Sequence, residues 1–340
     1  MAQAAVVILN YNGQHFLRQF LPSVLKNSPG HRIVVADNAS TDQSLAYLKE
    51  HYPEVEIISL PENYGFSRGY NEALKQLDDP YFVLLNSDVE VTEGWIEPVL
   101  QLMEADPQIA ACQPKIRAYH RKDYFEYAGA AGGYIDALAY PFCRGRIFDT
   151  IEKDVGQYDD ARQVFWASGA CFFVRNKVFR EMGGFDERFH AYMEEIDLCW
   201  RINTAGWKIM YQPLSLVYHV GSGTMSADNP RKTYLNFRNS NAMLYKNSPA
   251  GSLWWKMSLK LCLDLIAAFR FLLMRKHKDA EAVMNAVRHF WQHRPMWSVR
   301  RSDSPYRTKG AGRKRGIYPG LLVVAYFIRK KKTFSSLGLR

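Results

Sequence analysis

Between residues 4 and 88 the hydrophobic period switches repeatedly between strand and helix, and no other feature limits the fold as much. AAVVILNY and RIVVADNAS are short and rich in Val and Ile, as strands buried on both faces are. Between them GQHFLRQFLPSVLKNS has apolar residues at 16, 17, 20, 21, 24 and 25, a helical stripe. TDQSLAYLKEHYP opens on cap-forming residues and ends at Pro53, a second helix. VEIISL, FSRGYNEALKQLD and YFVLLNSD follow as strand, helix and strand. The alternation predicts an α/β fold, a Rossmann-like, mostly parallel sheet flanked by helices on both faces.

From about 110 to 165 the pattern loosens into Gly-, Tyr- and Asp-rich sequence, read as loops and edge strands. Order returns at FWASGACFFVRNKVF, then the turn GGFDERF, the helix AYMEEIDLCWRINTAGW and the strand KIMYQPLSLVYHVG. Past 235 long amphipathic helices lead into a basic tail. The chain therefore divides into a catalytic region, 1–235, and a helical, basic C-terminal region, 236–340. The net charge of +10 belongs to that tail, because residues 301–340 hold eleven Lys or Arg against one acid, Asp303. A uniformly basic nucleic-acid binder would distribute its charge differently, so no nucleic-acid partner is expected. Five cysteines without CxxC spacing suggest reduced thiols in a cytoplasmic setting, and MAQAAVVILNYNG has no basic leader of a signal peptide.

Polar residues stand at the ends of three predicted strands: Asn10, then Asp37 with Asn38, then Asn86 with Asp88. In a parallel sheet these ends open on one edge, where open α/β sheets bind ligands. There is no GxGxxG after the first strand and no GxxxxGK[ST], which disfavours dinucleotide and P-loop enzymes. A nucleotidyltransferase needs a Gly-rich basic loop after its first strand, and NYNGQHF is a poor candidate.

VVILNYNG, VVADNASTDQS, ENYGFSRGYNEAL, LLNSDVEV, SGACFFVRNKVF, GGFDERF, YMEEIDLCWR and HVGSGT occur in the order found in family 2 glycosyltransferases of the GT-A fold, which this chain resembles over roughly residues 4–245. The branch it is most similar to is that of bacterial rhamnosyltransferase-like enzymes. The resemblance implies an inverting glycosyltransferase that takes a sugar from a UDP- or dTDP-sugar, dTDP-rhamnose among them. The acceptor would be a glycan or a polyprenyl-linked sugar in cell-surface polysaccharide synthesis. Asp37 then matches the acid that binds the donor's base or ribose. Asn10 joins it, and Asn38, Ser40 and Asp42 read equally as ligand contacts or as turn and cap. Gly65 would let the backbone approach the nucleotide, and Arg68 either reaches the phosphates or caps a solvated helix face.

Asn86-Ser87-Asp88 occupies the family's DxD position, with Asn in place of the first Asp. By the same resemblance Asp88 and His219 hold a divalent cation, Mn²⁺ or Mg²⁺, whose hard-oxygen preference suits a carboxylate and a diphosphate. Glu195 stands where the family has its Asp base, and three neighbouring acids, Glu194, Glu195 and Asp197, should raise at least one pKa. The bland reading is a helix start that favours acids. Trp166, with Ser168 and Gly169, either stacks on the acceptor sugar or belongs to the core. Arg238 resembles an element that would hold the leaving diphosphate. The competing function is a catalytically silent nucleotide-sugar-binding scaffold in a glycan assembly complex; acids at both the metal and base positions argue for the enzyme.

Residues 253–274 resemble a membrane span, but Lys256, Lys260, Asp264 and Arg270 fall within a 120° arc, roughly, of a helical wheel. That predicts an amphipathic helix, packed on the domain or lying in a membrane interface. Ile317 to Ile328, flanked by Arg313, Lys314, Arg315 and Arg329 to Lys332, is too short to span a bilayer. It reads as a hook on an anionic membrane surface, or else as a buried final element. The hook would make the protein peripheral at the inner face of the cytoplasmic membrane.

Overall fold

The computed structural model describes residues 2–221, 229–302 and 315–339. The chain opens as β1 (Ala4–Asn10), α1 (Gln14–Asn27), β2 (Arg32–Asp37), α2 (Ser44–His51), β3 (Glu56–Ser59), α3 (Gly65–Leu74) and β4 (Tyr81–Asn86). This is the alternation the hydrophobic period predicts. β3, β2, β1 and β4 lie side by side and parallel. Successive β1 side chains enter separate apolar clusters: Val6 and Ile8 meet Leu17 and Leu21 of α1, and Val7 lies in the cluster of Tyr70 and Leu74 of α3. A strand covered on both faces has no polar side, which is why its sequence does not alternate.

Beyond β4 the sheet becomes mixed. It adds β5 (Val89–Val91), α4 (Glu97–Ala105), β6 (Ile109–Ala118) and β7 (Arg121–Phe125). A small four-stranded sheet follows, β8 (Gly133–Ile135), β9 (Pro141–Cys143), β10 (Arg146–Ile147) and β11 (Thr150–Ile151). Then come β12 (Arg162–Gln163), β13 (Cys171–Arg175), α5 (Asn176–Glu181), α6 (Glu194–Thr204) and β14 (Lys208–His219). β13 enters antiparallel between β4 and β6, and β14 runs parallel to β6 while its end pairs antiparallel with β5. Residues 110–165 are thus not loops and edges alone: β6 is an interior strand, and Phe125, Phe142 and Ile147 are buried. Small residues disguise this core. A Cβ at Gly133 would lie 2.1 Å from the Trp166 ring, so the Gly there marks close packing.

The chain ends in α7 (Pro230–Asn247), α8 (Ala250–Leu273), α9 (His277–His293), α10 (Pro295–Ser302) and short turns. The boundary expected at 235 falls inside α7, and Leu322, Ala325 and Phe334 share an apolar cluster with Phe82 of β4. The expected hook is folded back on the domain. Tyr318 N–H donates to the Ile135 carbonyl at 2.8 Å, Leu322 N–H donates to Asp136 at 2.8 Å, and only Phe327 and Ile328 of its large apolar residues face outward. Arg313 and Lys314 lie outside the described residues, as do Ser222 to Thr224 of the HVGSGT motif. Among the described residues no helix is long and apolar enough to cross a membrane.

Candidate active site

β1 and β2 end in register, Asn10 opposite Asp37, and Leu9 lies opposite Asn86 of β4. Asn10 Nδ2 donates to Asp37 Oδ1 and to Ser40 Oγ, both at 3.1 Å, and Asp37 Oδ2 accepts the Ser40 N–H at 3.0 Å. Asn10 Oδ1 is buried with no partner, an acceptor left open at the ligand edge of the sheet. Asn38 is different. Its Nδ2 donates to Asn63 Oδ1 (3.0 Å) and the Gly65 carbonyl (3.1 Å), and its Oδ1 accepts the Tyr64 N–H (3.0 Å). The side chain is engaged within the fold and shapes the 63–65 loop. Asp42 likewise accepts the Gln14 and Ser44 N–H groups, at 3.1 and 2.9 Å, and fixes two helix starts.

What approaches Gly65 is protein. A Cβ there would lie 2.5 Å from the His190 imidazole, and the residue has φ of +71°. Gly65→Ala should therefore cost about 1–3 kcal/mol for the backbone alone, read as a lower denaturant midpoint, and should displace His190. Arg68 stacks over Tyr64 at 3.9 Å and lies 3.7 and 3.9 Å from Glu62 and Glu187. Exposed ion pairs of this length hold a side chain loosely.

Asp88 and His219, the residues expected to hold a cation, are brought together by two strand ends. The pairing of His219 on β14 with Val89 on β5 sets the imidazole against Asp88, with Nε2 3.2 Å from Asp88 Oδ1 and 3.5 Å from Asn86 Nδ2. On the other side Glu126 Oε1 lies 3.5 Å from His219 Nδ1, and Glu126 Oε2 accepts the Ala128 N–H at 2.5 Å. Burial opposes an imidazolium here, yet Glu126 and Asp88 overcome it and push His219 up to about 10. Burial works against the Asp88 carboxylate too, but the His219 contact outweighs it and holds the group below its ordinary value. Two facing acids demand a positive charge between them. Asp88 Oδ1 and His219 Nε2 are spaced as neighbouring ligands of one small cation would be, roughly 3 Å apart. Among the described residues no group of three His, Cys, Asp or Glu side chains encloses a metal. A cation here would displace the His219 proton, take Asp88 and the neutral imidazole as ligands, and complete its shell on a bound diphosphate.

Glu195 begins α6. Gly169 sits beside it, since a Cβ on that glycine would lie 3.9 Å from Glu195 Cβ. The next carbonyl, of Ala170, accepts the Asn86 N–H at 3.0 Å. Two links thus join the proposed base to the Asn86–Asp88 edge. Three non-glycine residues before α6 have positive φ, His190, Tyr192 and Met193, and such strain gathers at functional sites. Glu194 and Glu195 each keep one buried oxygen without a partner. Burial pushes Glu195 up to about 7, against the pull of its own and Ile196's backbone N–H groups. Burial, then the charge of Glu195, raises Glu194 well above the ordinary range.

Three residues read as either acceptor contacts or support are engaged within the fold. Asp197 is fully buried and accepts from Arg201 (2.9 Å), Lys246 (2.7 Å) and Asn247 (2.8 Å), so it supports the helix and is held below its ordinary value. Trp166 is core: its Nε1–H donates to the Tyr134 carbonyl at 2.9 Å and its ring covers Gly133. Arg238 donates to the carbonyls of Arg188 and Phe189, at 3.2 and 3.0 Å. Its neighbour Asn239, which the sequence reading passed over, donates to Phe189, Ala191 and Tyr192 and clamps the strained loop before Glu194. Glu126 was also missed. Its signal is faint: a lone acid leading the small-residue run AGAAGG.

Fold and site define a glycosyltransferase. The glycosyl transferase family 2 model matches residues 5–183, and the chain belongs to that family. It is 28% identical to an N-acetylglucosaminyl-diphospho-decaprenol L-rhamnosyltransferase of Mycobacterium tuberculosis, over 79% of this chain and 92% of that one. It is 24% identical to the rhamnosyltransferase WbbL of Escherichia coli, over 63% and 82%. These relatives place it in a rhamnosyltransferase-like branch. Among solved structures it is similar to GalNAc-T7 with UDP, GalNAc and Mn²⁺ (TM-score 0.57, 17% identity, 72% of this chain and 48% of that). It is also similar to the mannosyltransferase PcManGT of Pyrobaculum calidifontis with GDP-Man and Mn²⁺ (TM-score 0.52, 12%, 89% and 81%). At these identities the likeness is one of fold, the GT-A arrangement expected from the sequence.

Proposed function

We propose that this enzyme transfers rhamnose, with inversion at the anomeric carbon, from dTDP-rhamnose to a sugar hydroxyl carried on a polyprenyl diphosphate, in cell-surface polysaccharide synthesis. One observation carries the reading: Glu195, a carboxylate raised toward neutrality, is linked through Gly169 and Ala170 to the strand end that bears Asn86 and Asp88. The names of the two rhamnosyltransferase relatives support the sugar, and the decaprenol enzyme's name supports a lipid-linked acceptor.

Asp37, held by Asn10 and Ser40, binds the base or ribose at the β2 end, and the open Asn10 Oδ1 takes a donor group of the nucleotide. Asp88 and His219 would hold a divalent cation, with Glu126 orienting the imidazole. Such a cation supplies positive charge opposite the diphosphate. Glu195 accepts the proton of the acceptor hydroxyl as that oxygen bonds to the anomeric carbon. The bond from that carbon to the diphosphate oxygen breaks, and the electron pair leaves with the nucleoside diphosphate. The same reading makes the protein peripheral at the inner face of the cytoplasmic membrane.

The test gives the purified chain dTDP-rhamnose, or UDP- and GDP-sugars, with Mn²⁺ and polyprenyl-diphospho-N-acetylglucosamine. One deoxyhexose should be added from the dTDP donor alone, with the anomeric configuration inverted by NMR. A donor bound tightly but neither transferred nor hydrolysed would return the protein to the scaffold reading.

A further inference from the structure

Helix α8 is turned the wrong way round for a helix in water. At about 100° per residue, Trp254, Trp255, Ile266, Phe269 and Leu273 fall within an arc of about 120°, and each is between 52% and 70% exposed. The opposite arc, Leu253, Met257, Lys260, Asp264 and Ala268, is buried. Its charged members face inward: Lys260 Nζ donates to Asp264 Oδ1 at 2.8 Å, and Asn241 of α7 donates to Asp264 Oδ2 at 2.7 Å. The helix thus packs on the domain through a stripe that mixes apolar side chains with the Lys260–Asp264 pair, and shows an apolar stripe to the outside. An apolar patch of this extent marks an interaction surface.

Charge selects the occupant. Residues 250–278 contain a single acid, the buried Asp264, and residues 315–339 contain none. Arg270 lies over the Phe327 ring at 5.6 Å, which joins the α8 face to exposed Phe327 and Ile328. Exposed Arg329, Lys330 and Lys332 follow directly. A second copy docked symmetrically would set this acid-free rim against itself. An anionic bilayer offers acyl chains to the stripe and phosphates to the rim.

We propose that α8 is a membrane-docking helix, lying in the headgroup–acyl boundary of an anionic bilayer with Trp254 to Leu273 toward the acyl chains. The docking rests on α8 alone. Its use rests on the reaction proposed above: α7 holds Asp264 through Asn241 and the 189–192 loop through Asn239, so the docked helix and the segment leading to Glu195 form one unit beside which a lipid-linked acceptor would arrive.

Flotation of the full chain with phosphatidylglycerol-containing vesicles tests it. Binding is expected at low salt, weaker at high salt, and weak on pure phosphatidylcholine. Phe269→Glu and Ile266→Glu should each reduce it about tenfold or more, whereas Leu214→Glu, at an exposed apolar site on β14, should not. A polarity-sensitive dye on Cys262, the exposed cysteine of the same stripe, should shift to the blue with vesicles. Three results would overturn the idea: no flotation, undiminished flotation of Phe269→Glu, or a dimer by light scattering that Phe269→Glu splits while vesicles go unbound. Transfer to a short soluble acceptor, measured on the same variants, should be unaffected, so a failed docking and a failed reaction are told apart.

Discussion

Glu195→Gln lowers turnover about a thousandfold, within the range a general base contributes, and leaves donor affinity within about twofold. Gln keeps the shape and one acceptor oxygen, but it cannot take the acceptor's proton. The wild-type acid limb should bend at about 7, because burial raises this carboxyl to about 7 and only the ionised form accepts. Below the bend, kcat should fall tenfold per pH unit, and the variant's residual rate should lose that limb. Stability moves the opposite way. A carboxyl raised in the folded state binds its proton more tightly there than in the unfolded chain, so stability declines as pH rises from the unfolded value, about 4.3, through the folded one. Gln never ionises. The variant should melt above wild type at pH 8, with the difference vanishing toward pH 4. A variant that transfers sugar at the normal rate, or that keeps the bend near 7, would remove Glu195 from the chemistry.

The parts of this site that local pattern announces were legible in advance. Parallel strands end in register by construction, so Asn10, Asp37 and Asn86 were bound to share an edge once the strands were found. The pairing of His219 with Val89 spans the sheet between distant segments, and motif order rather than periodicity brought it within reach. Sequence left choices open where one residue type suits two roles. Trp166 and Arg238 could each be ligand or support in sequence, and the structure packs the first on Gly133 and bonds the second to two backbone carbonyls. Glu126 and Asn239 act only through other residues, His219 and a strained loop, and nothing local distinguishes such a role. The orientation of α8 was equally hidden. A wheel shows that a helix has two faces, while the choice between them depends on Asn241 and Tyr140, which contact Asp264 from other elements.

Asp88→Asn should have the second large effect, about a hundredfold loss of nucleoside diphosphate affinity in Mn²⁺ and almost none in chelator, since one charged ligand is removed from a small shell. Asn86 makes the site sensitive. With an amide already at the first position of the triplet, Asp88 is the carboxylate facing His219 Nε2, and the variant would leave that nitrogen with amides alone on that side. Glu126→Gln probes the same site from behind. It keeps the fold of the 126–128 turn available to an amide oxygen but removes the charge that orients His219 Nδ1, and outer partners of metal-bound histidine are worth about 10–100-fold in metal affinity. Titrating Mn²⁺ by electron paramagnetic resonance, with and without dTDP, separates the two. Wild type should bind Mn²⁺ tightly only with the nucleotide, because among the described residues no group of three His, Cys, Asp or Glu side chains could hold it and the proposed ligands are Asp88 and His219. Asp88→Asn should lose the ternary signal, and Glu126→Gln should need more Mn²⁺ to reach it. Full transfer in excess chelator, together with wild-type affinity in Asp88→Asn, would remove the cation from this site.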